Sequence, residues 1–136
     1  MATIRSAVAD DIAAVLTLWR DADVPPSRTD DATSLRRLVA HDSEALIVAE
    51  WEDRIVGSVI AGWDGWRGSI YRLAVAPAHR GAGLGRRLLA DAEERLARVG
   101  ARRLQAVVVA TDAGATGFWR ATGWEEQVER LRFVRG

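Results

Sequence analysis

Between Leu73 and Arg86 the chain reads Leu-Ala-Val-Ala-Pro-Ala-His-Arg-Gly-Ala-Gly-Leu-Gly-Arg, and this stretch limits the possible folds more than any other. Ser69 to Val75 predicts a strand, which Pro77 ends. Leu84, Leu88, Ala92, Leu96 and Val99 form one apolar stripe, predicting a long helix from about Gly83 to Val99 that Gly100 stops. Gly81, Gly83 and Gly85 lie in the turn between them. Without Cβ atoms, alternating glycines let backbone N–H groups converge on one point and leave room for an anion against the backbone. The helix N-terminus adds partial positive charge there, and Arg80 and Arg86 can add donors. The plain alternative is an ordinary strand-to-helix turn, which three alternating glycines would destabilise. A Walker loop is excluded because the chain has no Lys. A dinucleotide fingerprint is excluded because position 86 is Arg, and Arg102 and Arg103 stand where an acid is needed.

The rest of the chain predicts a mixed sheet flanked by helices. Ile4 to Val8 reads as a first strand. Asp10 or Asp11 then caps a helix that buries Ile12, Val15, Leu16 and Trp19. Val24 to Asp31, with Pro25 and Pro26, reads as a loop, and Ser34 to Ala40 as a second helix burying Leu35, Leu38 and Val39. Ala45 to Trp51 and Arg54 to Gly62 read as strands joined tightly through Glu52 and Asp53. Gly62 to Gly68 is a turn-rich loop. Arg103 to Val109 predicts a buried strand and Ala113 to Thr122 a helix closed by Gly123, and Trp124 to Val134 predicts one or two final strands. Early hairpins and a late strand-helix-strand crossover place this in the mixed α/β (α+β) class, as one domain over residues 1–136.

A chain of 136 residues can bury roughly two-thirds of its unfolded surface. Cysteine is absent, which excludes a disulfide, a thiolate metal site or a cysteine nucleophile. His41 and His79 are too isolated to suggest a metal. The formal net charge is zero, which argues against nucleic acid as partner. No apolar run is long enough to span a bilayer, so a cytoplasmic protein with no membrane partner is expected. All nineteen basic residues are Arg, so the protein cannot acylate a lysine of its own.

Arg80-Gly-Ala-Gly-Leu-Gly85 resembles the Arg/Gln-x-x-Gly-x-Gly/Ala signature of the GNAT superfamily of N-acetyltransferases, and Leu73-Ala-Val-Ala-Pro77 resembles that family's fourth strand. Asp112 to Trp124 resembles its second landmark, Asn-x-x-Ala-x-x-x-Tyr-x-x-x-Gly-Phe. Ala115 and Gly123 match, whereas Asp112 stands for Asn, Trp119 for Tyr and Trp124 for Phe. The loop Gly62-Trp-Asp-Gly-Trp-Arg-Gly68 resembles a small bacterial branch of the superfamily. The resemblance implies a GNAT-like fold and acetyl-CoA as cosubstrate, with no metal. It implies a cofactor site of Leu73, Ala74, Val75, Arg80, Gly81, Ala82, Gly83, Leu84, Gly85, Arg86, Asp112 and Trp119. Backbone groups near Leu73 and Val75 would pair with the pantetheine arm where the fourth and fifth strands splay. The Val75 N–H would polarise the thioester carbonyl.

Acetyl transfer to an amine also needs a proton acceptor for the amine and a proton donor for the thiolate. Trp119 is donor-only and no acid at neutral pH. Tyr71, the only tyrosine, is a candidate acid, with a plain strand residue as its alternative. Glu positions used by relatives fall on Ser69 and Val107. The candidate bases are Asp64, Asp112 and Glu125, or water. Asp112 also suits a helix N-cap, and Asp64 a turn before Gly65. Trp63 and Trp66, alternating with Asp64 and Arg67, could border an acceptor pocket with aromatic walls and both charges. Alternatively they cover an apolar edge or a contact between two copies of the chain. Two functions remain: an N-acetyltransferase acting on a small amine, an amino acid, or a peptide or protein amine, and a non-catalytic acetyl-CoA sensor.

Overall fold

The computed structural model describes residues 1–136, which divide into two compact units, Met1–Ala106 and Val107–Gly136. The first unit contains β1 (Thr3–Ser6), α1 (Ile12–Asp21), α2 (Ala32–His41), β2 (Leu46–Trp51), β3 (Arg54–Trp63), β4 (Gly68–Val75), α3 (Leu84–Val99) and β5 (Leu104–Ala106). The strands form one sheet in sequence order. All pairings are antiparallel except that of β4 with β5, which is parallel across the α3 crossover. Both Glu52 and Asp53 have left-handed backbones, with φ of 49° and 61°, which makes the β2–β3 link a two-residue hairpin of the kind that matches strand twist.

α1 and α2 bury Ile12, Val15, Leu18, Trp19 and Leu35 against Leu46, Val48, Ile60 and Ala74 of the sheet. Leu18 therefore takes the buried place that the apolar spacing assigns to Leu16, which is only half-buried. Asp31 caps α2, accepting a hydrogen bond from the Ser34 N–H at 2.6 Å. α3 packs on β2, β3 and β4, and its contact with β4 is close: a Cβ at Gly68 would fall 2.9 Å from Leu96 and 2.6 Å from Leu104.

β4 changes register partway along. Ile60 pairs with Tyr71 but Ser58 pairs with Ala74, so Arg72 and Leu73 together oppose Val59 in a bulge. The extra residue inverts the alternation of side chains. Gly68 faces α3 while Ala74, also even-numbered, joins the core under α1 and α2.

In the second unit, Asp112 accepts a hydrogen bond from the Ala115 N–H at 3.0 Å and caps α4 (Ala113–Ala121). Gly123 follows with φ of 86°. Two expectations fail at this end. The fifth strand is not a buried run to Val109: β5 ends at Ala106, and Val107, outside it, is 63% exposed. Trp124 to Val134 forms no strand. A strand needs a ladder partner, and the second unit contains no other strand. Val128, Leu131, Phe133 and Val134 are exposed there. No helix is long and apolar enough to cross a membrane, and no cluster of His, Asp and Glu could hold a metal ion.

Candidate active site

The glycine turn leaves a row of backbone donors free. Pro77–His79 form one short 3-10 turn after β4. Gly81 and Gly83 follow with φ of 83° and 80°, and Gly83 is the N-cap of α3. These left-handed values suit glycine and strain any other residue. The first N–H of the helix to reach a backbone carbonyl is that of Arg87, on Gly83 O at 3.2 Å. The N–H groups of Leu84, Gly85 and Arg86 precede it and have no intrahelical partner. No carbonyl satisfies Gly81, Ala82 or Gly83 either. A Cβ at Gly81 or Gly83 would meet nothing within 4 Å, so the donors border open space at a helix N-terminus. That arrangement fits a pyrophosphate. Arg86 is exposed. Arg80 is partly committed elsewhere, its Nε donating to Val75 O at 3.4 Å and its Nη2 to Ala22 O at 3.2 Å.

Upstream, β4 offers a second free donor. The Ala76 N–H bonds Val56 O at 2.8 Å, and alternation along an antiparallel ladder turns the neighbouring Val75 N–H away from β3. On that side β4 pairs with β5 only from Gly68↔Leu104 to Ile70↔Ala106. The Val75 N–H thus has no ladder partner. Leu73 and Val75 are half-buried, and Ala74 is buried.

The loop between β3 and β4 is a turn built on Asp64. Its Oδ1 accepts from the Arg67 N–H at 2.7 Å and the Trp66 N–H at 2.8 Å. Those two hydrogen bonds, the Arg67 one first, hold the Asp64 carboxyl below the usual range. Trp66 is 70% exposed, and the Arg67 guanidinium lies over its ring, 4.1 Å from the centroid. Trp63 is half-buried. Tyr71 is exposed, lies across from Ile60 and rests against Gly62, where a Cβ would fall 3.3 Å from its ring. In the second unit, Trp119 packs edge-to-face with Trp124 and Phe118, at 4.7 and 5.7 Å between centroids.

The chain is similar to known proteins over most of its length. The profile described as the acetyltransferase (GNAT) family matches residues 12–124. The chain belongs to the GNAT family of acetyltransferases. An acetyltransferase of Yersinia pestis is 35% identical over 118 residues, which cover 87% of this chain and 84% of that one. An acetyltransferase of Pectobacterium atrosepticum is 34% identical over 116 residues, covering 85% and 82%. Among solved structures, the PaiA N-acetyltransferase of Thermoplasma acidophilum in complex with coenzyme A superposes with a TM-score of 0.81 at 14% identity, covering 93% of this chain and 91% of that one. It shares the GNAT fold.

One part of the site escaped sequence reasoning. The bulge at Arg72 and Leu73 leaves no periodic signal, because it is a break in a period. The only trace is a charged residue inside the run Ile70-Tyr-Arg-Leu-Ala-Val75.

Proposed function

We propose that this chain is an acetyl-CoA-dependent N-acetyltransferase that transfers acetyl directly from the thioester to an amine. The observation that carries the reading is the row of unpartnered amides from Gly81 to Arg86, facing open space at the start of α3. Acetyl-CoA supplies an acyl group activated as a thioester, with the thiol as leaving group. The amides of the turn and the Arg86 side chain hold the pyrophosphate. The Val75 N–H, without a ladder partner, donates to the thioester oxygen as negative charge develops there. The exposed Tyr71 hydroxyl is the phenol available to return a proton to the thiolate, and water or Asp64 receives the proton that the amine loses.

Trp63, Asp64, Trp66 and Arg67 border the acceptor in this reading. The loop leads directly into the strand that carries Val75, and loops on a fixed scaffold are where specificity varies. A guanidinium stacked on an exposed indole suits an acceptor that carries a carboxylate, which favours amino acids or peptides over simple alkylamines.

Gly83→Glu tests the cofactor site. A carboxylate in the phosphate space, on a residue with left-handed backbone, should abolish acetyl-CoA binding in calorimetry; an unchanged affinity in the folded variant rules the site out. A panel of amines assayed for coenzyme A release tests turnover. Binding of acetyl-CoA with no release by any amine would instead favour the sensor reading, to which Trp119 in place of Tyr already lends support.

A further inference from the structure

Arg72 is the one residue inside a strand, other than glycine, with a left-handed backbone; its φ is 52°. Such a conformation in an L-residue persists only where neighbours hold it, and here they can be named. The Ser58 hydroxyl, fully buried, donates to Arg72 O at 2.9 Å. That hydroxyl also accepts from the Trp19 indole N–H at 2.8 Å. An indole nitrogen only donates, so the single Ser58 proton is left for Arg72 O. On the other side of the residue, the guanidinium forks onto Asp30, Nε to Oδ1 at 3.0 Å and Nη2 to Oδ2 at 2.9 Å. Asp30 lies in the loop between α1 and α2, where its Oδ2 also accepts from the Ser27 N–H at 2.9 Å. Both charged side chains are largely shielded, at 24% and 15% exposure.

These contacts close a ring through α1, β3, β4 and the α1–α2 loop, and the bulge is its centre. The bulge is also a register choice. If Arg72 were extended, the pairing Ile60↔Tyr71 would continue without a break and Ala74 would oppose Gly57 instead of Ser58. Each side chain and N–H from Leu73 to Val75 would then point to the other side.

We propose that Arg72 is a positioning residue for acetyl transfer. By bonding Asp30 and Ser58 it holds the bulge, and so aims the Val75 N–H, and it makes that aim depend on the α1–α2 loop. This rests on the reading that Leu73 to Val75 receive the thioester.

Asp30→Asn tests it, because it removes the charge that pairs with Arg72 through a substitution outside both β4 and the glycine turn. The backbone amides are followed by ¹⁵N–¹H NMR with and without acetyl-CoA, alongside turnover of an amine found active in the panel. The expected result is that the Leu73, Ala74 and Val75 amides shift in the free variant and that kcat falls by about tenfold to a hundredfold. Acetyl-CoA affinity should stay within about threefold of the parent. Asp30→Glu, which keeps the carboxylate, should restore most of the rate. If Asp30→Asn leaves those amides and kcat where the parent has them, the proposal is wrong. If rate and acetyl-CoA affinity fall together and Asp30→Glu rescues neither, the loop is merely structural and the proposal is again wrong. A parent protein whose Leu73–Val75 amides ignore acetyl-CoA fails earlier, overturning the cofactor reading itself, and is recognised before any variant is made.

Discussion

The Arg80 guanidinium donates to the carbonyl of Ala22 at 3.2 Å, joining the first residue of the glycine signature to the end of α1, 58 positions earlier. Its Nε reaches back to Val75 O at 3.4 Å. The signature arginine thus fastens the turn at both sides, to the strand that precedes it and to the helix beside it. Two such hydrogen bonds contribute about 1–2 kcal/mol to holding the turn in its binding shape. Arg80→Ala should therefore weaken acetyl-CoA binding by roughly tenfold, measured by calorimetry, while the far-UV spectrum stays that of the parent. A dissociation constant equal to the parent's would show that the turn keeps its shape unaided.

A second prediction concerns acid stability. Asp11 accepts from the Arg5 guanidinium at 2.8 and 3.0 Å and from the Val8 N–H at 2.8 Å. The Arg5 contact is the main reason its carboxyl titrates below the ordinary 3.8. A depressed folded value means that the contribution to stability is fully present above about 3.8 and is lost as pH falls through the lower value. Asp11→Asn should reduce stability at neutral pH and flatten the fall in denaturation midpoint below pH 4. Urea melts from pH 7 to pH 2 would check it. A variant whose acid limb parallels the parent's would show that this carboxyl does not drive the loss.

Much of the fold was legible because it is periodic. The helical stripe from Leu84 to Val99, the Glu52-Asp53 hairpin and the glycine turn each carry a local pattern with one structural solution. The misses share a different cause. Leu16 and Leu18 are equally apolar, and only the packing of α1 on the sheet decides between them. The run Arg103 to Val109 looks like a strand throughout, yet its ladder with β4 stops at Ile70↔Ala106, just short of the bulge at Arg72 and Leu73. Trp124 to Val134 has strand-forming residues but no ladder partner within its unit. At the site, the backbone donors were legible from glycine spacing. The Asp30–Arg72 pair was not, because nothing local relates positions 42 apart.

Trp119 provides a third prediction. Its ring is part of an edge-to-face cluster with Phe118 and Trp124, a packing role that phenylalanine can largely fill. It also has no proton to give near neutral pH. Trp119→Phe should keep turnover within about threefold of the parent, and Trp119→Tyr, which adds a titratable hydroxyl, should match or exceed it. A thousandfold loss in a folded Trp119→Phe variant, on the order expected for removal of a group essential to proton transfer, would show that the indole does more than pack and end this reading.

The acceptor loop gives the last prediction, and its geometry sharpens the choice of variants. Asp64 organises the turn through Oδ1, so Asp64→Ala would disturb both the loop and its charge. Asp64→Asn keeps an acceptor oxygen for the Trp66 and Arg67 amides and removes the charge alone. Arg67→Ala removes the cation stacked on Trp66 and leaves the turn standing. If the loop borders the acceptor, Asp64 draws in the cationic amine and Arg67 its carboxylate. Each variant should then raise the acceptor KM by about threefold to thirtyfold and leave the acetyl-CoA dissociation constant unchanged. The two should also differ by substrate. Against an amine with no carboxylate, Arg67→Ala should behave as the parent while Asp64→Asn still loses affinity. Equal KM and kcat for both variants, on acceptors with and without a carboxylate, would mean that the acceptor enters elsewhere and that the Arg67–Trp66 stack serves only the surface.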